Sequence, residues 1–325
     1  MPRPNSDARA GQDEFALIDQ LRTRFAPTPG APDVAGDLGI GDDAAAVTLP
    51  HPGRVVLATD LVVEGVHVDL SVSSPEDVGW KALMVTVSDL AAMGADAAYV
   101  LLSVAAPAGF PVGRLADGVA EAAGAAGCTV VGGDLSAAPL LVVSVTAVGS
   151  VPEDGFPLLT RAGARPGDTL LVTGLLGASA GGLRRSAAPG RTDAGADEGL
   201  VAAHRRPAAR LDEGRAARTG GARAAIDVSD GLLADVAHLA EASGVGLDLV
   251  VGEEVVAPGA TRDEALGGGE DYELVLATPD PARLAGAFAA AGLRTPLVIG
   301  RCTAEPGQRT LDGRPMPAVG WRHRF

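Results

Sequence analysis

Aspartates beside small or hydroxyl-bearing residues recur along the chain, and their type and placement could support metal chemistry. They lie at Asp42, Asp43, Asp60, Asp89, Asp134, Asp227 and Asp230. Each aspartate alone has an ordinary explanation in a turn or helix cap. Gathered near one site, however, like charges repel unless a cation binds among them. Carboxylates suit Mg²⁺, which keeps room for water and substrate phosphates, so the pattern predicts a magnesium site that handles phosphate.

Glycine-rich segments add to this phosphate chemistry. Gly132-Gly133 and Gly267-Gly268-Gly269 can present backbone N–H groups to an anion, although each alone is weak evidence. Lys81 is the only lysine, and its surroundings do not fit the phosphate-binding loop that ends in Gly-Lys-Ser/Thr. Metal ions rather than lysine would therefore neutralise the phosphates.

Composition narrows the class of protein. The chain has 325 residues, 26 basic against 41 acidic side chains and a net charge of −15, which argues against a nucleic-acid partner and against docking on anionic membranes. Cys128 and Cys302 lie far apart and are expected to be core thiols. The N-terminus lacks the apolar core of a signal peptide, and no apolar stretch approaches the ~20 residues that span a bilayer. We expect a cytoplasmic protein.

Strands and helices alternate along the chain and would position the acidic residues. In the first half we predict a strand at 54–59 that ends at Asp60, and a helix from Ser74-Pro75 to Gly94. The other predicted elements there are a helix at 13–25, strands at 97–106, 128–131 and 140–148, and a helix at 112–126. The strand at 128–131 would end at Asp134. Most of these acids would thus stand at strand ends, where a ligand can approach the backbone.

A cluster of glycine and proline between 155 and 167 suggests a boundary between two domains, at 1–151 and 152–325. The second domain is predicted to contain strands at 169–173, 224–228, 246–250 and 272–277 and helices at 232–242 and 281–291. Residues 186–199 are small, polar and rich in glycine and proline, which predicts a mobile surface loop. The fold class is therefore α/β (α+β) with two domains.

The ordered set of motifs resembles the thiamine-monophosphate kinase family over nearly the whole chain. The wider superfamily shares the ATP-binding architecture of aminoimidazole ribonucleotide synthetase. The motifs that carry the resemblance are Gly39–Ala45, Thr59-Asp60 with His67, Ser88–Ala95, Gly132-Gly133-Asp134, Asp227–Leu232 and Gly268–Leu274. The family often has a hydroxyl residue where this chain has Ala58, and the tail after Trp321 also departs slightly from the family pattern.

The resemblance implies transfer of the ATP γ-phosphoryl group to thiamine monophosphate, which gives thiamine diphosphate, in a homodimer built through the N-terminal domains. It implies a magnesium set of Asp43, Thr59, Asp60, Asp89, Asp134, Asp227 and Asp230. It implies ATP contacts at Gly133, Asp134, Arg161 and Ser229, and contacts to thiamine monophosphate at His67, Glu270 and Trp321. The fold implied is that of aminoimidazole ribonucleotide synthetase, with an N-terminal sheet-and-helix domain that dimerises and a C-terminal α/β domain.

Structural alternatives remain for the residues outside the metal set. His67 could be a partly buried histidine, Trp321 a hydrophobic clasp, Glu270 a solvated acid and Arg161 a surface charge. Selenophosphate synthetase is disfavoured because no cysteine precedes Cys128, and the hydrogenase-maturation enzyme because the chain has no C-terminal cysteine. Aminoimidazole ribonucleotide synthetase and a non-catalytic nucleotide-binding protein remain as alternatives.

Overall fold

The computed structural model describes residues 14–25, 40, 44–45, 47–50, 52–187 and 196–321. Asp42 and Asp43 therefore lie outside the described residues. The described part forms two compact units. The first comprises the described residues up to Thr48, together with Thr59–Leu83 and Tyr99–Thr146, and the second comprises Leu49–Ala58, Met84–Ala98 and the described residues from Ala147 onwards.

Helices and strands alternate up to residue 152, as the sequence predicts. The elements in this part are α1 (Glu14–Arg24), β1 (Gly53–Val63), α2 (Pro75–Ala92), β2 (Asp96–Ala106), α3 (Val112–Ala126), β3 (Thr129–Ala137) and β4 (Val142–Pro152). The strands form one sheet in the order β1-β4-β2-β3. β2 and β3 are parallel and are joined through α3, which makes a βαβ crossover.

The predicted start of α2 is confirmed in atomic detail. The Ser74 hydroxyl accepts a hydrogen bond from the Asp77 backbone N–H at 3.2 Å, and the Asp77 carboxylate accepts one from the Ser74 N–H at 3.2 Å. This reciprocal cap satisfies two N–H groups that the first helical turn leaves without partners. The cap fixes where α2 begins, and α2 carries Asp89 near its other end.

Two predicted strand ends are wrong. β1 continues through Asp60 to Val63, and β3 continues through Asp134 to Ala137. An aspartate is tolerated inside each strand because Asp60 is only half-buried and Asp134 is exposed, so neither carboxylate is enclosed in the core. These two acids therefore project from within the sheet.

The second part of the chain contains a mixed seven-stranded sheet in the order β11-β10-β7-β9-β5-β8-β6. Its elements are β5 (Thr169–Val172), α4 (Ala178–Ser186), α5 (Ala196–Arg205), α6 (Leu211–Gly220), β6 (Ala224–Asp227), α7 (Leu232–Ser243), β7 (Gly246–Leu249), α8 (Arg262–Gly267), β8 (Leu274–Thr278), α9 (Pro281–Ala290), β9 (Leu297–Thr303), β10 (Arg309–Leu311) and β11 (Arg314–Pro315). β5 and β8 are antiparallel, as are β6 and β8.

The core of the second unit lies between this sheet and α7. Buried side chains of β6 and β8, such as Ile226 and Val275, belong to the same hydrophobic cluster as Leu232, Val236 and Leu239 of α7. The helical spacing of these leucines and valines buries one face of α7 on the sheet. Packing therefore holds the turn between β6 and α7 rigidly, and this turn carries Asp227 to Gly231.

The predicted loop at 186–199 is wrong at both ends. Ser186 is the last residue of α4, and α5 begins at Ala196, so only 188–195 remain outside the described residues. Alanine, leucine and glutamate favour the helix at the second end. No helix in the described ranges is both long and apolar enough to cross a membrane.

Candidate functional site

In the first unit, the side chain of Thr59 on β1 contacts the neighbouring strand β4, and His67 lies just beyond β1. The Thr59 hydroxyl donates a hydrogen bond to the Val145 carbonyl at 3.1 Å. His67 lies in the turn after β1, where its Nδ1 accepts a hydrogen bond from the Val63 N–H at 3.1 Å. In the neutral imidazole the proton is therefore on Nε2, which makes that nitrogen a hydrogen-bond donor.

Asp134 lies on β3, opposite Ser103 of β2. The preceding Gly133 passes so close to β2 that a Cβ at this position would collide with the Leu102 backbone. Since β1 and β3 are the two edges of the four-stranded sheet, the strands that carry Asp60 and Asp134 are separated by about 14 Å across the sheet at ~4.8 Å per strand. The sheet of one chain does not bring these two acids together.

In the second unit, Asp227 ends β6 and is buried, with 3% of its surface exposed. The hydroxyl of Ser88, which is fully buried in α2, donates a hydrogen bond of 2.7 Å to the Asp227 carboxylate. The next residue on α2 is Asp89, which is half-buried. The structure therefore brings the predicted Ser-Asp motif of α2 to the predicted Asp-Val-Ser-Asp-Gly motif.

Asp235, which the sequence analysis did not single out, lies beneath the same turn. Its carboxylate accepts hydrogen bonds from the N–H groups of Asp230 and Gly231, both at 3.0 Å. Burial, together with the negative charges of Asp227 and Asp230, raises the pKa of Asp235 to about 8. A third negative charge is thus disfavoured beside this turn.

The segment 267–273 runs alongside this turn. Glu270 donates its backbone N–H to the Ser229 carbonyl at 2.8 Å, and Tyr272 donates its own to the Val228 carbonyl at 2.9 Å. Glu270 and Tyr272 have φ angles of 66° and 51°, in the left-handed region that non-glycine residues seldom occupy. Backbone strain of this kind costs about 1 kcal/mol or more per residue and is concentrated at functional sites.

The neighbouring acids of this segment are held by backbone N–H groups in one case and by an ion pair in the other. Asp271 accepts hydrogen bonds from the N–H groups of Gly177 at 2.6 Å and Ser179 at 3.1 Å, which caps α4. The pKa of Asp271 is raised to about 7, chiefly by burial. Glu273 forms a bidentate ion pair with Arg210, with N–O distances of 3.0 and 2.5 Å. It also accepts a hydrogen bond from the Thr173 hydroxyl. The Glu-Asp-Tyr-Glu motif was the signal that could have revealed these residues.

Two further predicted residues lie on loops of the second unit. Arg161 is exposed, and its carbonyl accepts a hydrogen bond of 2.9 Å from Ser243 at the end of α7. Trp321 also exposes its side chain, while its backbone N–H donates to the Asp230 carbonyl at 2.9 Å. Backbone hydrogen bonds thus hold Trp321 and Glu270, two of the residues predicted to bind the substrate, at the Ser229-Asp230 turn.

The donor atoms of the predicted magnesium set fit that ion, because all are carboxylate or hydroxyl oxygens. No group of three or more histidine, cysteine, aspartate or glutamate side chains that could hold a metal ion occurs among the described residues. Mg²⁺ usually binds through one or two carboxylates together with substrate phosphates and water. The Asp227–Asp230 turn suits this mode of binding, in which the nucleotide completes the coordination.

Two observations define the class of protein. The structure contains two sheet-and-helix units, and two family models match most of the chain. Residues 41–151 match the family described as AIR synthase related protein, N-terminal domain, and residues 165–312 match the corresponding C-terminal domain. The chain is therefore a mixed α/β protein with the two-domain AIR synthase-like fold, as predicted.

More specific similarities define the family within this class. The chain is 39% identical to thiamine-monophosphate kinase of Mycobacterium tuberculosis, over 95% of this chain and 91% of that protein. The crystal structure of thiamine-monophosphate kinase from Stenotrophomonas maltophilia K279a covers 93% of this chain and 98% of its own, with 34% identity and a TM-score of 0.79. A solved complex of AaThiL with AMPPCP and TMP covers 96% and 97%, with 32% identity and a TM-score of 0.73. The chain belongs to the thiamine-monophosphate kinase family.

Proposed function

We propose that this protein transfers the γ-phosphoryl group of ATP to the phosphate of thiamine monophosphate, forming thiamine diphosphate. The observation that carries the proposal is the turn at Asp227–Gly231, where metal-binding oxygens adjoin the strained Glu270 and the exposed Trp321. Family membership supports it, and the related AaThiL complex contains both AMPPCP and TMP. The acid-rich turn suits the polyphosphate and its cations, while Glu270 and Trp321 suit the cationic acceptor.

We assign the metal-binding role to a set of carboxylate and hydroxyl oxygens. They are Asp43, which lies outside the described residues, and Thr59, Asp60, Asp89, Asp134, Asp227 and Asp230. When bound, Mg²⁺ would neutralise phosphate charge and polarise the transferred group. Ser88 restrains one oxygen of Asp227 by its 2.7 Å hydrogen bond. The second oxygen is thereby oriented as a ligand.

Other residues would hold the organic parts and the remaining phosphates. For ATP these are Gly133, Asp134, Arg161 and Ser229. For thiamine monophosphate these are His67, Glu270 and Trp321. The Nε2–H of neutral His67 can donate to a phosphate or ring nitrogen, and the Glu270 carboxylate and Trp321 ring can attract the cationic thiazolium.

The reaction needs no strong base from the protein. The acceptor phosphate has a second pKa of ~6 and is already largely dianionic at neutral pH. Its oxygen attacks the γ-phosphorus directly while the bond to the ADP oxygen breaks, so no covalent phosphoenzyme forms. The contribution of the protein is to hold the reacting oxygens in line and to compensate their charge.

We also propose a homodimer, in which residues 1–151 form the ATP- and magnesium-binding dimerisation domain and residues 152–325 the second domain. Alternate residues of the edge strand β1 expose apolar side chains, with 48% of Val55, 68% of Leu57 and 57% of Leu61 accessible. A second copy of this face would remove them from water. Sedimentation of the parent and of Leu57→Glu tests this, with a dimer expected for the parent and a monomer for the variant. The cytoplasmic location stays a prediction.

Product analysis tests the activity. The protein is incubated with ATP, Mg²⁺ and thiamine monophosphate, and thiamine diphosphate and ADP are expected in equal amounts. Omission of Mg²⁺ should abolish both products. ATP binding without either product would instead identify a non-catalytic nucleotide-binding protein and overturn the proposal.

A further inference from the structure

A buried histidine outside all the predicted motifs contacts Glu270, which is predicted to bind the thiazolium-bearing substrate. His204 lies on α5 with 6% of its surface exposed. Its Nδ1 stands 3.4 Å from Oε2 of Glu270 and 3.1 Å from the hydroxyl of Ser179, the second residue of α4. The Glu270 side chain is 26% exposed, so solvent reaches the carboxylate but scarcely reaches the imidazole.

Tight packing of α4 against α5 fixes the imidazole. A Cβ on Gly182 of α4 would collide with the Leu200 backbone and would lie 2.8 Å from the Cβ of His204. The two helices therefore pack so closely that only glycine fits at position 182, and the His204 side chain is held between Ser179 and Glu270. Asp271 adds a second link by capping the start of α4.

The role of His204 in this contact depends on its tautomer. A carboxylate only accepts hydrogen bonds, so a hydrogen bond to Glu270 requires a proton on Nδ1. In that tautomer the Ser179 hydroxyl faces the same N–H as a second acceptor. His204 then approaches one oxygen of Glu270 as a donor from the protein side.

We propose that His204 is a positioning residue that orients the Glu270 carboxylate toward a cationic heteroaromatic acceptor. The inference rests on the proposed function, because Glu270 is assigned to the thiazolium-bearing substrate there. Glu270 already has a strained backbone, with φ of 66°. The contact with His204 restrains Oε2 of the Glu270 side chain from the protein side, while His204 itself touches no substrate.

Two substitutions at this position separate orientation from packing. His204→Asn keeps an amide that can place a donor near the position of Nδ1, whereas His204→Leu keeps bulk without any donor. We expect His204→Leu to raise the KM for thiamine monophosphate about tenfold, the usual scale for a lost hydrogen bond to a charged group. The KM for ATP should stay within about twofold, and His204→Asn should restore most of the loss. His238→Leu, at an exposed histidine on α7, serves as the matched control.

A double-substitution cycle and direct binding complete the test. In a Glu270→Gln background, His204→Leu should add little further loss, and calorimetric binding of thiamine monophosphate should follow the KM values. Two results would overturn the positioning role in an active parent protein. The first is an unchanged KM for thiamine monophosphate in His204→Leu. The second is an equal increase in the KM values for both substrates that His204→Asn does not reverse. A parent protein that neither binds nor phosphorylates thiamine monophosphate would overturn the proposed function and this inference together.

Discussion

Two acid-rich segments of the second unit lie side by side, and they balance their charge in different ways. In the segment 270–273, Glu273 is paired with Arg210 and Asp271 caps the start of α4. In the segment 227–235, a serine hydroxyl donates to Asp227 and two backbone N–H groups donate to Asp235. Glu273 is thus paired with a charged group of the protein. Asp271 and Asp235 are both held by backbone N–H groups, and Asp227 is held by the Ser88 hydroxyl.

This difference separates structural acids from acids suited to a ligand. A buried carboxylate paired with arginine is satisfied within the fold, and its loss would leave a charge without its partner. Neutral donors orient a carboxylate but do not cancel its charge. Burial, together with repulsion from Asp227 and Asp230, raises the pKa of Asp235 to about 8. A cation is therefore expected to stabilise the segment 227–235 and to leave 270–273 nearly unaffected.

The largest expected effect follows from removing one charge in the segment 227–235. Asp230→Asn should lower kcat on the order of a thousandfold, because a ligand for the phosphate-bound cation loses its charge. Its thermal stability without Mg²⁺ should stay the same or increase, since repulsion with the Asp227 carboxylate falls. Steady-state kinetics and melting curves check both results. Parent-like turnover at limiting Mg²⁺ would remove Asp230 from the metal set.

In the segment 270–273, loss of a charge is expected to lower the stability of the fold. Glu273→Gln should lower the free energy of unfolding by about 3 kcal/mol, because it leaves the guanidinium of Arg210 without its charged partner. Urea denaturation measures the change, and Arg301→Gln, which removes an exposed ion pair with Asp248, is the control. The control should change stability by less than about 1 kcal/mol. Equal losses in the two variants would contradict the structural assignment of Glu273.

A pH series tests the cap of α4. The folded pKa of Asp271 is about 7 against an ordinary 3.8, so between these values the folded state holds a proton that the unfolded state has lost. The contribution of Asp271 to stability is therefore present at low pH and is lost as pH rises through about 7. Between pH 5 and pH 7 the loss should be about 2 kcal/mol.

The variant Asp271→Asn isolates this contribution, because asparagine keeps an oxygen for the cap but does not titrate. The difference in unfolding free energy between parent and variant should change with pH in that interval and should move in favour of the variant. Chemical denaturation at several pH values gives the measurement. A difference that stays constant from pH 5 to pH 8 would show that the Asp271 carboxyl is ionised throughout.

The smallest expected effect concerns Trp321, whose backbone is tied to Asp230. Trp321→Ala should raise the KM for thiamine monophosphate about 2- to 30-fold, because a stacking or cation–π contact is worth ~0.5–2 kcal/mol. The KM for ATP should hardly change, and Trp321→Phe should recover much of the loss. A clasp role predicts a lower melting temperature instead, with the two KM values moving together or not at all.

Residue types and their order along the chain were sufficient to predict the fold class, the family and many of the helices and strands. The cap at Ser74-Pro75, the alternation of strands and helices and the ordered acidic motifs are local properties, and the two-domain AIR synthase-like fold and the family were confirmed. Helices α4, α5, α6 and α8 were not predicted, because each contains glycine, which lowers the local helix propensity. The roles of the individual site residues stay predictions.

Tertiary structure decided which acids meet. Sequence spacing treats Asp60 and Asp134 alike, yet strand order places them on opposite edges of one sheet. The contacts of Glu273 with Arg210 and of His204 with Glu270 join segments whose meeting no local pattern encodes. Local sequence sets the identity of a group and its secondary structure, but burial, charge partners and orientation depend on contacts between distant elements. These contacts distinguish a structural acid from one that is available to a ligand.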